Sequence, residues 1–199
     1  MTYLSMTKQT PIIFRAWDSM SEARLDRQIH TSEYHNTFTP PNPPPRSPLE
    51  TQKALLHHLT YTSYARCWTS FTKSASDAIH HAQRLHKRRK GVGTTYLSAI
   101  RTDILHFQCS LQDAKEMVDI FKVDLSHYTD TSNISSNEVL LSGSVPNESV
   151  LDIVEIEGSI FEVEMAVQTW LRKLLPHAQN KLGLGPDNPF AKCVSLWQE

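Results

Sequence analysis

Cysteine is scarce in this chain and never paired at short spacing. Cys67, Cys109 and Cys193 are the only three in 199 residues. An odd number at such wide spacing argues against both a zinc ribbon and a disulfide framework. A surplus of one charge is also missing: 20 Lys and Arg face 21 Asp and Glu, for a net charge of −1. A mainly electrostatic nucleic-acid binder carries a basic excess. No apolar run approaches the roughly 20 residues that a membrane-spanning helix needs. The opening residues, MTYLSMTKQTPIIF, lack the basic start and long apolar stretch of a secretory signal. The expected location is therefore intracellular, cytoplasmic or nuclear, with no membrane partner. No Gly-x-Gly-x-x-Gly, Walker loop or Gly-x-Ser-x-Gly elbow occurs, which lowers the case for a Rossmann enzyme, a P-loop ATPase or an α/β-hydrolase. The ten histidines include the adjacent pairs His57-His58 and His80-His81, but neighbours on a helix point about 100° apart. Without His-Glu-x-x-His or a cysteine at ligand spacing, no metal site is expected.

What is present suffices for a core. The chain is 39% hydrophobic, with four Trp, six Tyr and seven Phe, which argues against wholesale disorder. The length suits one domain with an appendage: residues 1–160 as the domain, 161–199 as a C-terminal helix and tail packed on it. Ile12–Trp17 reads as a buried strand carrying Arg15. Ser19–Gln28 has N-cap and helix-former character. Residues 39–48 hold six prolines in ten positions, which forbids a helix or a central strand and leaves an extended loop.

Leu49–Leu59 is an amphipathic helix with Leu49, Ala54, Leu55 and Leu59 toward one side. Ala65–Phe71 reads as a strand, Ser74–Arg89 as a strong helix, and Tyr96–Leu105 as a strand. That second helix ends in His86-Lys87-Arg88-Arg89-Lys90, a solvated helix end or a phosphate patch. Leu111–Val118 predicts a short helix with Ser110 as cap, and Ile120–Leu125 alternates like a half-buried strand. Further strands are expected at Glu138–Leu141 and Val150–Ile156, and an apolar helix at 160–175 with Trp170 and Leu174 against the body. Helices lie mainly early and strands late, which favours α+β over regular βαβ alternation.

Four features stand in a particular order: an arginine inside a strand (Phe14-Arg15-Ala16-Trp17-Asp18), a histidine late in a helix (His57-His58-Leu59-Thr60), a hydroxyl-bearing strand end leading into a helix (Trp68-Thr69-Ser70-Phe71), and a glutamate opening a strand (Ser136-Asn137-Glu138-Val139) with Pro146 behind it. This order resembles the toxin-type ADP-ribosyltransferases of the Arg–Ser–Glu class, the pertussis- and cholera-like catalytic subunits above all. It is also similar to an uncharacterised, mainly fungal, domain family with the same landmarks. The likeness spans about residues 12–156 as short islands. It departs from the Ser-Thr-Ser strand end, because Thr69 stands at the first serine and Phe71 replaces the third hydroxyl. Ser136, two residues before Glu138, is neither Glu nor Gln, so an arginine acceptor is not implied.

The resemblance implies an ADP-ribosyltransferase-like split β-sheet with helices covering a cleft, and NAD as substrate. Cleaving the nicotinamide–ribose bond develops positive charge on the ribose, which a carboxylate, here Glu138, stabilises. Arg15 would grip the dinucleotide by bidentate hydrogen bonds. Thr69 and Ser70 would orient it, and His58 would take a proton from the acceptor or contact a phosphate. Water as acceptor gives NAD glycohydrolysis; a protein or nucleic-acid group gives ADP-ribosylation. Each residue also has a structural reading: Arg15 in an ion pair, His58 at a core boundary, Thr69 or Ser70 as a cap, Glu138 at an exposed strand start. The alternative function is a non-catalytic module of the same fold, with a partner meeting 39–48 or 160–175.

Overall fold

The computed structural model describes residues 12–18, 21, 26–27, 34–35, 38, 40, 42–60, 67–88, 94–103, 105, 109–125, 136–156, 169–170, 172–173 and 176. The elements run β1 (Ile12–Asp18), β2 (Asp26–Arg27), β3 (Tyr34–His35), α1 (Pro48–Leu59), β4 (Thr69–Thr72), α2 (Ala75–Arg88), β5 (Thr95–Arg101), β6 (Cys109–Asp113), α3 (Ala114–Phe121), β7 (Glu138–Gly143) and β8 (Val150–Ile156). The fold is α+β. Six strands form one antiparallel sheet in the order β6-β7-β4-β1-β5-β8, and β2 pairs with β3 apart from it.

The sheet is split. β1 pairs with β5 along its whole length, and β4 pairs with β7 along its whole length. Between these halves, β1 and β4 share the single register pair Phe14–Thr72. One sheet face is covered twice. On the β1-β5-β8 half, Ile12, Phe14, Leu97 and Ala99 pack against Ala78, Ile79 and Ala82 of α2. On the other half, Leu140 packs against Ala54, Leu55 and Leu59 of α1 and Ala114 and Met117 of α3. The opposite face carries Ile13, Trp17, Phe71, Ile100, Val139 and Leu141, closed over by Phe38, Leu105 and Val145.

Local chemistry explains most of the boundaries. Ser47 caps α1 by accepting from Glu50 N (3.2 Å), and Pro48 stands at the first helical position. Upstream, Asn42, Pro43 and Pro44 are exposed and Pro40 is buried, in neither helix nor strand. Ser74 caps α2 through Asp77 N (3.2 Å). No described helix is long and apolar enough to cross a membrane.

Several expected elements are corrected. Leu49 does not join the buried side of α1; it is 59% exposed. The helix expected at Ser19–Gln28 is interrupted by the Asp26–Arg27 strand, and Ser21 instead closes a turn on Asp18, to whose Oδ1 its hydroxyl donates (2.9 Å). The other residues of that stretch, apart from Ser21, lie outside the described ones. The helix expected from Leu111 begins at Ala114. Asp113, not Ser110, caps it by accepting from Lys115 N and Glu116 N, while Leu111 pairs with Leu141 in the sheet. Ile120–Leu125 is not a strand. α3 runs to Phe121 and ends on Lys122 in the left-handed region, with Val123 N donating to Val118 O (3.1 Å). Of the helix expected at 160–175, residues 169, 170, 172 and 173 are helical, as is 176. Trp170 packs edge-on to Phe14 and donates from Nε1 to Asp152 Oδ2 (2.8 Å). Leu174 lies outside the described residues.

Candidate functional site

The four sequence landmarks converge on one residue, Ser70, at the split between β1 and β4. Alternation along a strand places Ser70 and Thr72 on the same face, and the register sets Thr72 opposite Glu138 and Ser70 opposite Leu140. This is the face covered by α1, α2 and α3. Glu138 therefore lies diagonal to Ser70, and Ser70 donates its hydroxyl to the Glu138 carboxylate. From α1, His58 brings Nε2 to 2.8 Å from Ser70 Oγ. With the serine proton given to the carboxylate, Nε2 carries a proton and donates to Oγ. The buried Trp68 holds the imidazole by an edge-to-face contact at 6.0 Å.

Arg15 reaches Ser70 from the other side. Its Nη1 donates to the Ser70 carbonyl at 2.6 Å, a carbonyl that closer strands would satisfy with a backbone N–H. Its guanidinium carbon lies 5.4 Å from the centre of the Phe38 ring and 5.7 Å from that of Phe71, within cation–π range. Burial lowers the Arg15 pKa to about 10, which still leaves it cationic at neutral pH. Burial also pushes the Glu138 carboxyl above its ordinary range, and the Ser70 hydrogen bond works against that rise.

Arg15, His58, Ser70 and Glu138 are thus brought together, and Thr69 is not. Its buried side chain turns to the opposite face, where Oγ1 donates to Phe38 O (3.3 Å). The hydroxyl motif shifts by one residue: Ser70 and Thr72 are its two outer hydroxyls, with Phe71 between them. Thr72 Oγ1 in turn accepts from Ser74 N (3.1 Å). Sequence reasoning also passed over Asn137 and Asp77. Asn137 O accepts from Lys73 N (2.8 Å), and Asn137 Nδ2 donates to Asp77 Oδ2 (3.1 Å). The signal for Asn137 was its place directly before Glu138; nothing local marked Asp77. Among the described residues, no group of three His, Cys, Asp or Glu is placed to hold a metal ion. The thiols of Cys67 and Cys109 are pushed up by burial, Cys109 to about 11, which makes them poor nucleophiles.

The fold and site define an α+β protein with a split antiparallel sheet and a carboxylate–hydroxyl–imidazole cluster at the split. The chain belongs to the family described as "Domain of unknown function (DUF7587)", whose model matches residues 8–158. A solved structure named EcPltA is similar at a TM-score of 0.48 and 14% identity, covering 79% of this chain and 82% of that one. No curated protein matches the sequence.

Proposed function

We propose that this protein cleaves the nicotinamide–ribose bond of NAD and passes the ADP-ribosyl group to water or to a protein or nucleic-acid acceptor. The observation that carries this reading is the His58–Ser70–Glu138 arrangement beside Arg15, in the order that resembles the Arg–Ser–Glu transferases. The C–N bond breaks with its electron pair leaving on neutral nicotinamide. The ribose becomes cationic, and the acceptor oxygen or nitrogen bonds to the same carbon and releases a proton. Glu138 stabilises the cationic ribose and accepts a hydrogen bond from a ribose hydroxyl. Its partial desolvation strengthens that interaction, because attraction between opposite charges grows as the local dielectric falls. Ser70 aims the carboxylate. His58, donating from Nε2 to Ser70 Oγ, holds the hydroxyl that aims the carboxylate, and Glu138, its pKa raised by burial, is the group that takes up the acceptor proton.

Arg15 holds the Ser70 backbone in this scheme. Its burial against the adjoining rings of Phe38 and Phe71, whose centres lie 5.5 Å apart, favours a second reading, a non-catalytic interaction module that keeps Arg15 as a structural residue.

Release of free nicotinamide from NAD by the purified protein separates the two. The enzyme reading expects release that Glu138→Gln abolishes and that Ser70→Ala slows by about ten- to a hundredfold, the value of one hydrogen bond to a charged group. Absence of both nicotinamide release and NAD binding would leave the interaction module standing.

A further inference from the structure

Glu138 is the first residue of β7, and strand ends fray unless something holds them. Beyond the last register pair, Thr72–Glu138, Lys73 N donates to Asn137 O at 2.8 Å and extends the ladder by one bond. The Asn137 side chain continues the attachment, donating from Nδ2 to Asp77 Oδ2 at 3.1 Å. Asp77 is itself well anchored. It lies in the first turn of α2, where its negative charge suits the helix pole, and its N–H bonds the Ser74 cap. α2 in turn is packed against β1 through Ala78, Ile79 and Ala82.

We infer that Asp77 and Asn137 form a clamp that positions Glu138 against Ser70 by tying the entry of β7 to the first turn of α2. The functional consequence rests on the proposed NAD chemistry; the clamp itself does not. Neither residue touches the reacting atoms, so both are positioning residues. Their effect belongs in the turnover step rather than in substrate affinity, because a displaced carboxylate fails the transition state more than the bound dinucleotide.

The test uses charge and donor exchange. Asn137→Asp sets two carboxylates face to face and breaks the bond; adding Asp77→Asn restores it with donor and acceptor exchanged. Hydrogen–deuterium exchange of the peptide around residues 136–141 is read first, because it needs no activity. The single Asn137→Asp variant is expected to speed exchange there by about five- to tenfold, leaving β5 and β8 unchanged, and the double variant to return it to the starting value. Nicotinamide release is read second. kcat is expected to fall by a similar factor in the single variant, with KM for NAD unchanged, and to recover in the double. Unchanged exchange in the single variant overturns the clamp, as does acceleration spread evenly over the sheet. Local, reversible acceleration in a protein that releases no nicotinamide keeps the clamp and removes the enzymatic reading instead.

Discussion

Ser70 is bonded through both its backbone and its side chain. Its carbonyl takes Arg15 Nη1, and its hydroxyl joins His58 to Glu138. Replacing Ser70 by alanine keeps the carbonyl bond but takes a hydroxyl partner from the Glu138 carboxylate, and losing a bond to a partly buried charge costs more than losing one between neutral groups. Glu138 presents the opposite case, a group whose environment opposes its own charge. Its folded pKa lies above the ordinary carboxylate value, so the folded state binds more protons than the unfolded state between the two. Stability then falls as pH rises through that interval. Glu138→Gln is accordingly expected to raise the melting temperature at pH 7, with the gain vanishing below the ordinary carboxylate range. Thermal unfolding of the two proteins at pH 7 and pH 4 measures this, and a variant less stable than wild type at pH 7 would contradict it. A site residue whose replacement stabilises the fold is one that the fold keeps at a cost in stability.

Among the elements, α3 shows how caps overrule local pattern. Asp113 serves at once as the last residue of β6, the N-cap of α3 and the partner of Lys73, whose Nζ lies 2.8 Å from its carboxylate. Burial alone would raise the Asp113 pKa, but the Lys73 bond and the helix N–H groups outweigh it and hold the carboxyl below its usual value. At its other end, α3 stops on Lys122, a non-glycine residue at φ 50°, ψ 48°. The left-handed region crowds Cβ against the backbone, at about 1 kcal/mol. Lys122→Gly is therefore expected to stabilise the protein by about 1 kcal/mol, read as a higher urea midpoint at unchanged slope. The proline-rich stretch before α1 acts at the same scale. Its fixed backbone angles deliver the chain to the Ser47 cap, and α1 then carries His58 to the site.

The whole molecule is a sheet opened between β1 and β4, with helices braced against each half. The opening leaves the Ser70 carbonyl to Arg15 and gives His58 and Glu138 a shared hydroxyl. The core extends past the residues that the family model matches. Trp170 lies against Phe14, at the middle of β1, and donates to Asp152 on β8. Trp170→Ala is expected to cost about 3–5 kcal/mol, as for other buried aromatic truncations, measured by urea unfolding. A loss below about 1 kcal/mol would place the segment around residue 170 outside the cooperative unit.

Local chemistry by itself determined much of this. Proline and serine at 47–48 start α1, the three- and four-residue spacing of Ala78, Ile79 and Ala82 makes α2, and apolar runs make β1, β7 and β8. The order arginine, histidine, hydroxyl, glutamate was legible for the same reason: each residue sits at a recognisable end or middle of an element. The tertiary structure decided the rest. In Thr69-Ser70-Phe71-Thr72, hydroxyls stand on both faces, so the sequence alone does not choose which face meets Glu138. Pairing with β7 chooses it, since a shift of one residue turns every side chain over. Leu111 and Ile120–Leu125 show the same limit, because runs this short satisfy both helical and strand periods until a partner strand or a cap selects one. Arg15 meets Ser70 across 55 positions of sequence, and Asn137 meets Asp77 across 60. Contacts of that range leave no local trace, because they depend on where two separately formed elements come to rest.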